Sequence, residues 1–258
     1  MIRLAAFDID GTIRDLNGIP DSTRAAIRRL KENGVQVVLC TGRSEYETRF
    51  VREELGVDWA ITCNGSHIGY QGNTVFGQAF AKETVERWLK KAELNRHAMI
   101  LAGSSGFFRN DEDPAYFRRA QREIGFLEPE RLRDLTSMPD IYQCIVFCEE
   151  RESRLYVDRE KDGFYVHRWR PWAMDLNPPG TNKAEGLRQL MDHLGVDASE
   201  TAAFGDGLND MEMIASVGLG IAMGDGLDAL KNIAHRVTKP LREDGIAYAV
   251  ERWVLDAN

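Results

Sequence analysis

Short apolar runs alternate with amphipathic, helix-like segments over the first 80 residues. The runs at 2–9, 35–40 and 59–62 are typical of buried strands, and the segments between them predict helices at 21–31 and 44–55. Strand and helix alternating at such short separations predict a parallel sheet with right-handed crossovers. In such a sheet, functional residues lie where strands end and loops begin. An α/β fold with a site at the carboxyl edge of the sheet is therefore expected.

This alternation of strands and helices stops near residue 81 and resumes near residue 179. A helix-like stretch at the start of the intervening segment is followed by strand-like runs without long helices between them, which favours antiparallel pairing; these runs lie at 141–148, 154–157, 164–169 and 172–175. After Asn-Pro-Pro-Gly at 177–180, helices and strands alternate again. The simplest topology is a Rossmann-like parallel-sheet core made of residues 1–80 and 179–258, interrupted by an α+β cap made of residues 81–178.

Charge limits the classes of partner. The chain carries 41 acidic and 33 basic side chains, a formal net charge of −8, which disfavours nonspecific binding to phosphate backbones or anionic membranes. No run approaches the roughly 18 apolar residues of a membrane helix. Asp8 and Asp10 interrupt the N-terminal segment before the apolar region of a secretion signal develops. We therefore expect a cytoplasmic protein with no nucleic-acid or membrane partner.

Two carboxylates, Asp8 and Asp10, stand two residues apart at the end of the first predicted strand. They point to the same side if the strand continues, and they repel each other unless a hard cation with a preference for oxygen ligands compensates them. Gly11, which follows, lets the backbone turn closely around a ligand. The alternative is that both acids only cap a turn or a helix.

Three further loops combine polar residues with strand ends or helix starts. Thr41, after the second strand, offers a hydroxyl to an anion, although capping a helix is the more ordinary role of such a residue. Lys183 opposes the helix dipole in a predicted first turn, so it serves an anion or a carboxylate cluster unless it is merely solvated. The segment 205–210, Gly-Asp-Gly-Leu-Asn-Asp, is richer in acids and amides than a turn requires. Acids together with Mg²⁺ and a lysine can bind phosphate.

In this order the four motifs resemble those of the haloacid dehalogenase (HAD) superfamily, and specifically its Cof-like phosphatases. The shared patterns are DxDGT at 8–12, TGR at 41–43, an isolated lysine at 183 and GDxxND at 205–210. The resemblance covers both flanks of the chain, whereas the middle matches only as an α+β cap. One departure is Gly-Asp-Gly at 224–226, where many relatives have a Gly-Asn-Ala-like sequence; it concerns a peripheral loop.

The resemblance implies an Mg²⁺-dependent phosphatase that hydrolyses phosphoric monoesters. Asp8 would attack phosphorus and form an aspartyl-phosphate, and Asp10 would protonate the leaving group and then activate water. Mg²⁺ would be held by Asp8, by the backbone carbonyl of Asp10 and by Asp206, while Asp210 would complete the metal shell or orient Lys183. The residues implied to bind phosphate are Thr41, Gly42, Lys183 and Asn209.

The cap would close over the site and select a small phosphorylated metabolite such as a sugar phosphate, flavin mononucleotide or pyridoxal phosphate. Cap candidates for substrate contact are Arg109, Arg168 and Trp172, with Tyr116 and Trp169 beside them; the alternative places the aromatic rings in the cap core and the arginines in solvent. Two other functions stay open. A phosphomutase uses the same fold, and a receiver-type signalling module uses a similar acidic cluster but needs only about half this length and no cap.

Overall fold

Two β-sheets organise the chain. The computed structural model describes residues 1–110, 112, 115–133, 138–158 and 162–255. Its strands are β1 (Leu4–Phe7), β2 (Gln36–Cys40), β3 (Trp59–Thr62), β4 (His67–Tyr70), β5 (Asn73–Gly77), β6 (Met99–Gly103), β7 (Phe107–Arg109), β8 (Glu130–Arg131), β9 (Ile141–Val146), β10 (Tyr165–Arg170), β11 (Ala173–Asn177), β12 (Thr201–Gly205), β13 (Leu219–Ala222) and β14 (Arg236–Val237). The helices are α1 (Asp21–Glu32), α2 (Glu45–Leu55), α3 (Lys82–Leu94), α4 (Ala115–Ile124), α5 (Lys183–Leu194), α6 (Met211–Ser216), α7 (Asp228–Ile233) and α8 (Gly245–Ala249).

The first sheet has the order β14-β13-β12-β1-β2-β3-β4-β5. Every pair from β14 to β3 is parallel, and β4 and β5 extend the sheet as antiparallel strands. The second sheet has the order β10-β11-β9-β6-β7-β8 and is antiparallel except for the short pair of β7 with β8. The prediction of an α/β fold with a parallel-sheet core and an α+β cap is confirmed, and the cap contains the second sheet.

Side chains of the central parallel strand alternate between two covered faces. Ala5 and Phe7 belong to a hydrophobic cluster shared with α1 and α8, whereas Leu4 and Ala6 belong to a cluster shared with α5 and α6. All four side chains are fully buried. Because helices cover both faces, β1 is a continuous apolar run rather than an alternating one.

The second sheet also has helices on both faces. Met99 and Leu101 of β6 pack in a cluster with Trp88 of α3, and the intervening Ile100 packs in a cluster with Phe117 of α4. This alternation places α3 and α4 on opposite sides of the sheet. The α4 side also contributes to the cavity described below.

The local predictions failed in several places, and strands β6, β7, β8 and β14 were not predicted. The segment 154–157 is not a strand: a 3-10 helix spans Glu150–Leu155, and at its start the carboxylate of Glu152 accepts from the backbone N–H of Glu149. The hairpin of β4 and β5 was missed, although Gln71 and Gly72 both adopt positive φ and so form the two-residue turn that joins its strands.

Within the described residues, no helix combines the length and the apolar character needed to cross a bilayer. The boundaries proposed for the core and the cap, near residues 80 and 178, stay a prediction.

Candidate active site

Three neighbouring parallel strands end at the same edge of the first sheet. β1 pairs with β12 on one side and with β2 on the other, so that Phe7 lies opposite both Phe204 and Leu39. Asp8, Thr41 and Asp206 each follow directly after one of these strands. The motifs from distant parts of the chain therefore meet at the carboxyl edge, as expected for a parallel sheet.

Lys183, the first residue of α5, is fully buried at the centre of this edge. Its Nζ donates to Oδ1 of Asp8 at 2.6 Å and to Oδ1 of Asp210 at 2.7 Å. Burial alone would lower the pKa of Lys183, but the charges of Asp210 and Asp8 outweigh burial and leave that pKa raised. Lys183 is therefore a charged group that joins two carboxylates, and not a solvated lysine.

Asp8, Asp206 and Asp210 form an acidic cluster in which one oxygen of each carboxylate lies within 4.8 Å of the others. Thr12 Oγ1 donates to Asp206 Oδ1 at 3.0 Å. Burial raises the pKa of Asp8 well above its ordinary range, with Lys183 opposing this, and burial raises the pKa of Asp206 to about 6. Three carboxylates share one ammonium group, so the cluster has an excess of negative charge. Its all-oxygen donor set fits a hard divalent cation such as Mg²⁺.

Asp210 also shapes the loop that carries Asp206. Its Oδ2 accepts hydrogen bonds from the backbone N–H groups of Asp206 at 3.0 Å and Gly207 at 2.9 Å, while its Oδ1 accepts from Lys183. One carboxylate therefore organises both the loop and the lysine. This geometry supports the predicted role of Asp210 in orienting Lys183.

Asp10 lies apart from the acidic cluster. Its carboxylate accepts from Arg43 Nε at 2.5 Å and from Arg43 Nη2 at 2.8 Å, and its side chain is 51% exposed. Asp10 and Arg43 both line the cavity described below. The side chain of Asp10 therefore lies at the cavity as the partner of Arg43. Its roles in proton transfer and, through its backbone carbonyl, in metal binding stay predictions.

The residues that directly follow β2 form a loop and not the start of a helix. Helix α2 begins at Glu45, and Ser44 caps it by accepting from the backbone N–H of Glu47, whose carboxylate accepts from the backbone N–H of Ser44. The interpretation of Thr41 as a helix cap is therefore wrong. Thr41 and Gly42 lie instead on the loop that lines the cavity. Their contact with a phosphate group stays a prediction.

A cavity of about 590 Å³ lies between the carboxyl edge of the first sheet and the second sheet. Asp8, Asp206 and Asn209 contribute to its lining from the first sheet. Phe126 and Trp169 contribute aromatic surface from the opposite side. A volume of this size suits a small organic ligand.

The cap candidates occupy different positions relative to this cavity. Arg168 contributes to the lining, but its guanidinium also donates to Cys148 O at 3.0 Å and to Ser153 Oγ at 2.6 Å. Trp169 contributes to the lining as well, and its Nε1 donates to Asp175 Oδ1 at 2.8 Å. Of the cap residues singled out from the sequence, Trp169 has the geometry best suited to substrate contact. Both terminal nitrogens of Arg168 are bonded to protein groups on the Met174 side of the sheet, which favours a structural role for that residue.

Arg109 and Trp172 lie outside the lining of this cavity. Arg109 is buried rather than solvated, and its Nε lies 3.4 Å from Glu128 Oε1. Trp172 is buried against Phe147 and Trp169. For these two residues the geometry favours a structural role in the cap over a substrate contact.

Sequence reasoning missed Gln143 and Asp175, two buried polar residues that line the cavity from the second sheet. Asp175 is 5% exposed, and burial raises its pKa to about 7. A signal was available, because both residues interrupt apolar strand-like runs. A polar side chain in a buried strand needs partners, and such partners often belong to a site.

A parallel sheet with an acidic cluster and a buried lysine at its carboxyl edge, covered by a second sheet, defines a class of α/β enzymes that act on phosphate groups. The family model described as haloacid dehalogenase-like hydrolase matches residues 5–250, and the chain belongs to that family. Within the HAD superfamily it falls in the Cof-like group, and it is a phosphatase, a hydrolase of phosphoric monoesters.

Individual proteins resemble the chain along nearly its whole length. YkrA of Bacillus subtilis (strain 168) is 34% identical over 250 residues, covering 96% of each chain. From the same strain, 5-amino-6-(5-phospho-D-ribitylamino)uracil phosphatase YcsE is 32% identical over 257 residues, covering 98% of this chain and 96% of YcsE. A crystal structure of a Geobacillus kaustophilus HTA426 protein has a TM-score of 0.88 at 35% identity, covering 99% of this chain and 100% of that one.

Proposed function

We propose that this phosphatase is Mg²⁺-dependent and hydrolyses a small phosphorylated metabolite through an aspartyl-phosphate at Asp8. The observation that carries the proposal is the contact of Lys183 Nζ with both Asp8 and Asp210 beside Asp206. A carboxylate at the base of a cavity, oriented by a lysine, is suited to attack phosphorus. When bound, Mg²⁺ supplies positive charge that reduces repulsion between this carboxylate and an anionic substrate.

Each residue has a defined part in the proposed mechanism. Lys183 holds Asp8 through Oδ1 and leaves the second oxygen for in-line attack, with transfer of the phosphoryl group to Asp8 and departure of the substrate alkoxide. In the proposed cycle Asp10 begins protonated and gives its proton to that alkoxide; as a carboxylate it then takes a proton from the water that hydrolyses the intermediate. Thr41, Gly42 N–H and Asn209 donate to phosphoryl oxygens as charge develops, together with Lys183.

The second sheet supports a role in substrate selection. It covers the carboxyl edge, and its aromatic and polar side chains line the cavity opposite Asp8. Closing such a cavity excludes water from the first half-reaction. Its volume and mixed lining favour a sugar phosphate or a phosphate on a planar ring, of the flavin mononucleotide or pyridoxal phosphate type, over a macromolecule. Residence in the cytoplasm and the lack of a nucleic-acid or membrane partner stay predictions.

A receiver-type signalling role is less well supported, because a receiver needs no second sheet over its acidic cluster. A phosphomutase shares the proposed chemistry up to the aspartyl-phosphate, and its product distinguishes it. Free phosphate forms in hydrolysis, whereas an isomeric phosphate ester forms in a mutase. A panel of phosphorylated metabolites, ranked by kcat/KM and assayed for both products, separates the two functions.

Metal removal is expected to abolish turnover. With p-nitrophenyl phosphate as substrate, dialysis against a chelator should reduce phosphate release to background, and added Mg²⁺ should restore it, because the acidic cluster alone repels an anionic substrate. Activity that persists unchanged in the chelator would contradict the proposal. Restoration should fail if Ca²⁺ replaces Mg²⁺, since Ca²⁺ takes more ligands at longer distances.

Gly11→Ala is expected to raise the Mg²⁺ concentration needed for half-maximal activity by about tenfold or more, because misplacing one ligand disturbs the site. Gly11 has φ +88°, and an added Cβ would lie 2.3 Å from Asp206 Oδ2. Gly18→Ala is the matched control, since Gly18 has φ +91° but no atom within 4 Å of an added Cβ. Both variants share the backbone strain of a left-handed residue. If Gly11→Ala and Gly18→Ala raise the Mg²⁺ concentration for half-maximal activity equally, the contact with Asp206 is unimportant.

A further inference from the structure

Four side-chain amides and one carboxylate form a hydrogen-bonded set that links the proposed phosphate site to the second sheet: Asn64, Gln143, Asp175, Asn177 and Asn209. Asn64 lies at its centre, in a 3-10 turn (Cys63–Gly65) that follows β3, and it is fully buried with φ 51°. Asn64 Oδ1 accepts from Asn209 Nδ2 at 3.0 Å. On its other side, Asn64 Nδ2 donates to Gln143 Oε1 and to Asp175 Oδ2, each at 3.0 Å, and lies 3.3 Å from Asn177 Oδ1. Asn209 lies in the proposed phosphate site, whereas Gln143 and Asp175 belong to the second sheet.

The turn that carries Asn64 is held by close backbone packing. The backbone N–H of Asn64 donates to Thr41 O at 3.0 Å. Gly65 has φ +95°, and a Cβ added there would lie 2.0 Å from Asn182 O. This turn therefore packs against both the loop of Thr41 and the start of the helix that carries Lys183. Its position is fixed relative to the site, and only the orientation of the Asn64 amide remains to be determined by its partners.

The partners of Asn64 allow only one orientation of its amide. Both oxygens of Asp175 accept from groups that can only donate, Trp169 Nε1 and Asn64 Nδ2, so these contacts favour the ionised carboxylate even though burial raises the pKa of Asp175 to about 7. Turning the Asn64 amide over would place its oxygen against that carboxylate and against Gln143 Oε1. Asn64 Oδ1 must therefore face Asn209, which in turn must present its NH₂ group to Asn64.

We propose that Asn64 is a positioning residue: through its amide, Asp175 and Gln143 of the second sheet set the orientation of Asn209 in the phosphate site. An amide NH₂ group carries two donors. One is used by Asn64, so the other is held in a fixed direction for a phosphoryl oxygen. A second contact supports the same link, since Gln143 Nε2 donates to Gly42 O at 2.9 Å. The inference rests on the proposed function of Asn209 and adds a residue whose side-chain amide acts through it.

Asn64→Asp tests the link. The variant keeps an acceptor for Asn209 but turns the donor that faces Asp175 and Gln143 into a second acceptor, so the required orientation is lost. We expect the Kd of inorganic phosphate, measured by calorimetry with Mg²⁺ at about pH 8, where Asp175 is largely ionised, to rise about tenfold or more. Asn110→Asp is the matched control: Asn110 is a buried amide of the cap, bonded to Met99 N and His97 O. It should lose stability without a change in phosphate Kd.

A double-mutant cycle separates positioning from general structural damage. Asn209→Ala should raise the phosphate Kd, and adding Asn64→Asp to it should raise Kd no further, because Asn64 acts through the missing side chain. Additive effects would overturn the inference, as would an unchanged Kd in Asn64→Asp. If Asn64→Asp does not fold, Asp175→Asn serves instead, since it replaces an acceptor by a donor at the other end; an unchanged phosphate Kd there would also overturn the inference.

The outcomes for this inference and for the proposed function are distinguishable. Wild-type protein that binds phosphate with Mg²⁺ but releases none from any ester would contradict the proposed hydrolysis and leave the Asn64 comparison measurable. Wild-type turnover combined with a wild-type phosphate Kd in Asn64→Asp would leave the function intact and overturn the inference. Wild-type protein that binds no phosphate would overturn the inference too.

Discussion

Asp8→Asn should lower the rate of phosphate release by about 10⁴-fold or more, a loss comparable to removal of a nucleophile in other enzymes that use covalent catalysis. An amide keeps the shape of the carboxylate and an acceptor for Lys183, but it cannot attack phosphorus. The fold should not suffer. Burial raises the pKa of Asp8 well above its ordinary range, which means that the ionised form costs folding free energy. Replacing it by a neutral isostere is expected to leave the melting temperature unchanged or higher.

The measurement is phosphate release together with a thermal melt. Asp58→Asn provides a matched control, because Asp58 is an exposed acid that accepts from Gln71 on the surface. This control should keep wild-type turnover. An Asp8→Asn protein that keeps more than about 1% of wild-type activity would assign the nucleophile to another group. Mass spectrometry of acid-quenched wild-type enzyme should in addition show a phosphoryl group on the peptide that contains Asp8.

Lys183→Met should have the second-largest effect, and it acts on both stability and turnover. Removing the ammonium leaves Asp8 and Asp210 buried without their cation, and breaking a buried ion pair in this way typically costs about 3–5 kcal/mol of unfolding free energy. Phosphate release should fall by about 10²- to 10³-fold, since one donor to the transferring group is lost. Mg²⁺ should recover part of the stability but little of the activity, because the metal can compensate the acids but cannot orient Asp8.

Denaturant unfolding with and without Mg²⁺ measures this prediction. Arg188→Met on the same helix is the control, because the partners of Arg188 are the surface acids Glu185 and Asp192. Exposed ion pairs contribute only about 0–1 kcal/mol, so this variant should remain close to wild type. A Lys183→Met protein as stable in chelator as in Mg²⁺ would show that the acidic cluster does not hold the metal.

Much of this fold follows from local patterns. The apolar run around residue 5 predicts a strand buried on both faces. Side chains of a strand alternate between its two faces, and here both faces carry apolar residues, such as Leu4 on one and Phe7 on the other. Likewise Lys183 is conspicuous because a lysine in a first turn opposes the helix dipole. Polar loops at strand ends predict the position of the site, since the carboxyl ends of parallel strands all lie at the same edge of the sheet. These inferences need only neighbours in sequence and the geometry of one element.

Other predictions failed because the structure of a segment, or the role of a side chain, depends on the residues that it contacts in the fold. The strand expected at 154–157 gives way to a 3-10 helix, at whose start the carboxylate of Glu152 caps the backbone N–H of Glu149. Trp172 appears from its chemistry to be a substrate contact but is buried against Phe147. An aromatic side chain fits a core as well as a binding wall, so sequence alone does not distinguish the two.

The sequence by itself determined the class of fold, the edge of the sheet that holds the site and the residues able to carry the chemistry. Only the tertiary structure decided how these residues pair: Arg43 with Asp10, Gly11 against Asp206, and Asn64 between the phosphate site and the second sheet. The physical reason is range. Periodicity and capping depend on residues a few positions apart, whereas hydrogen bonds between buried amides and carboxylates depend on how two sheets pack, to within a few tenths of an ångström.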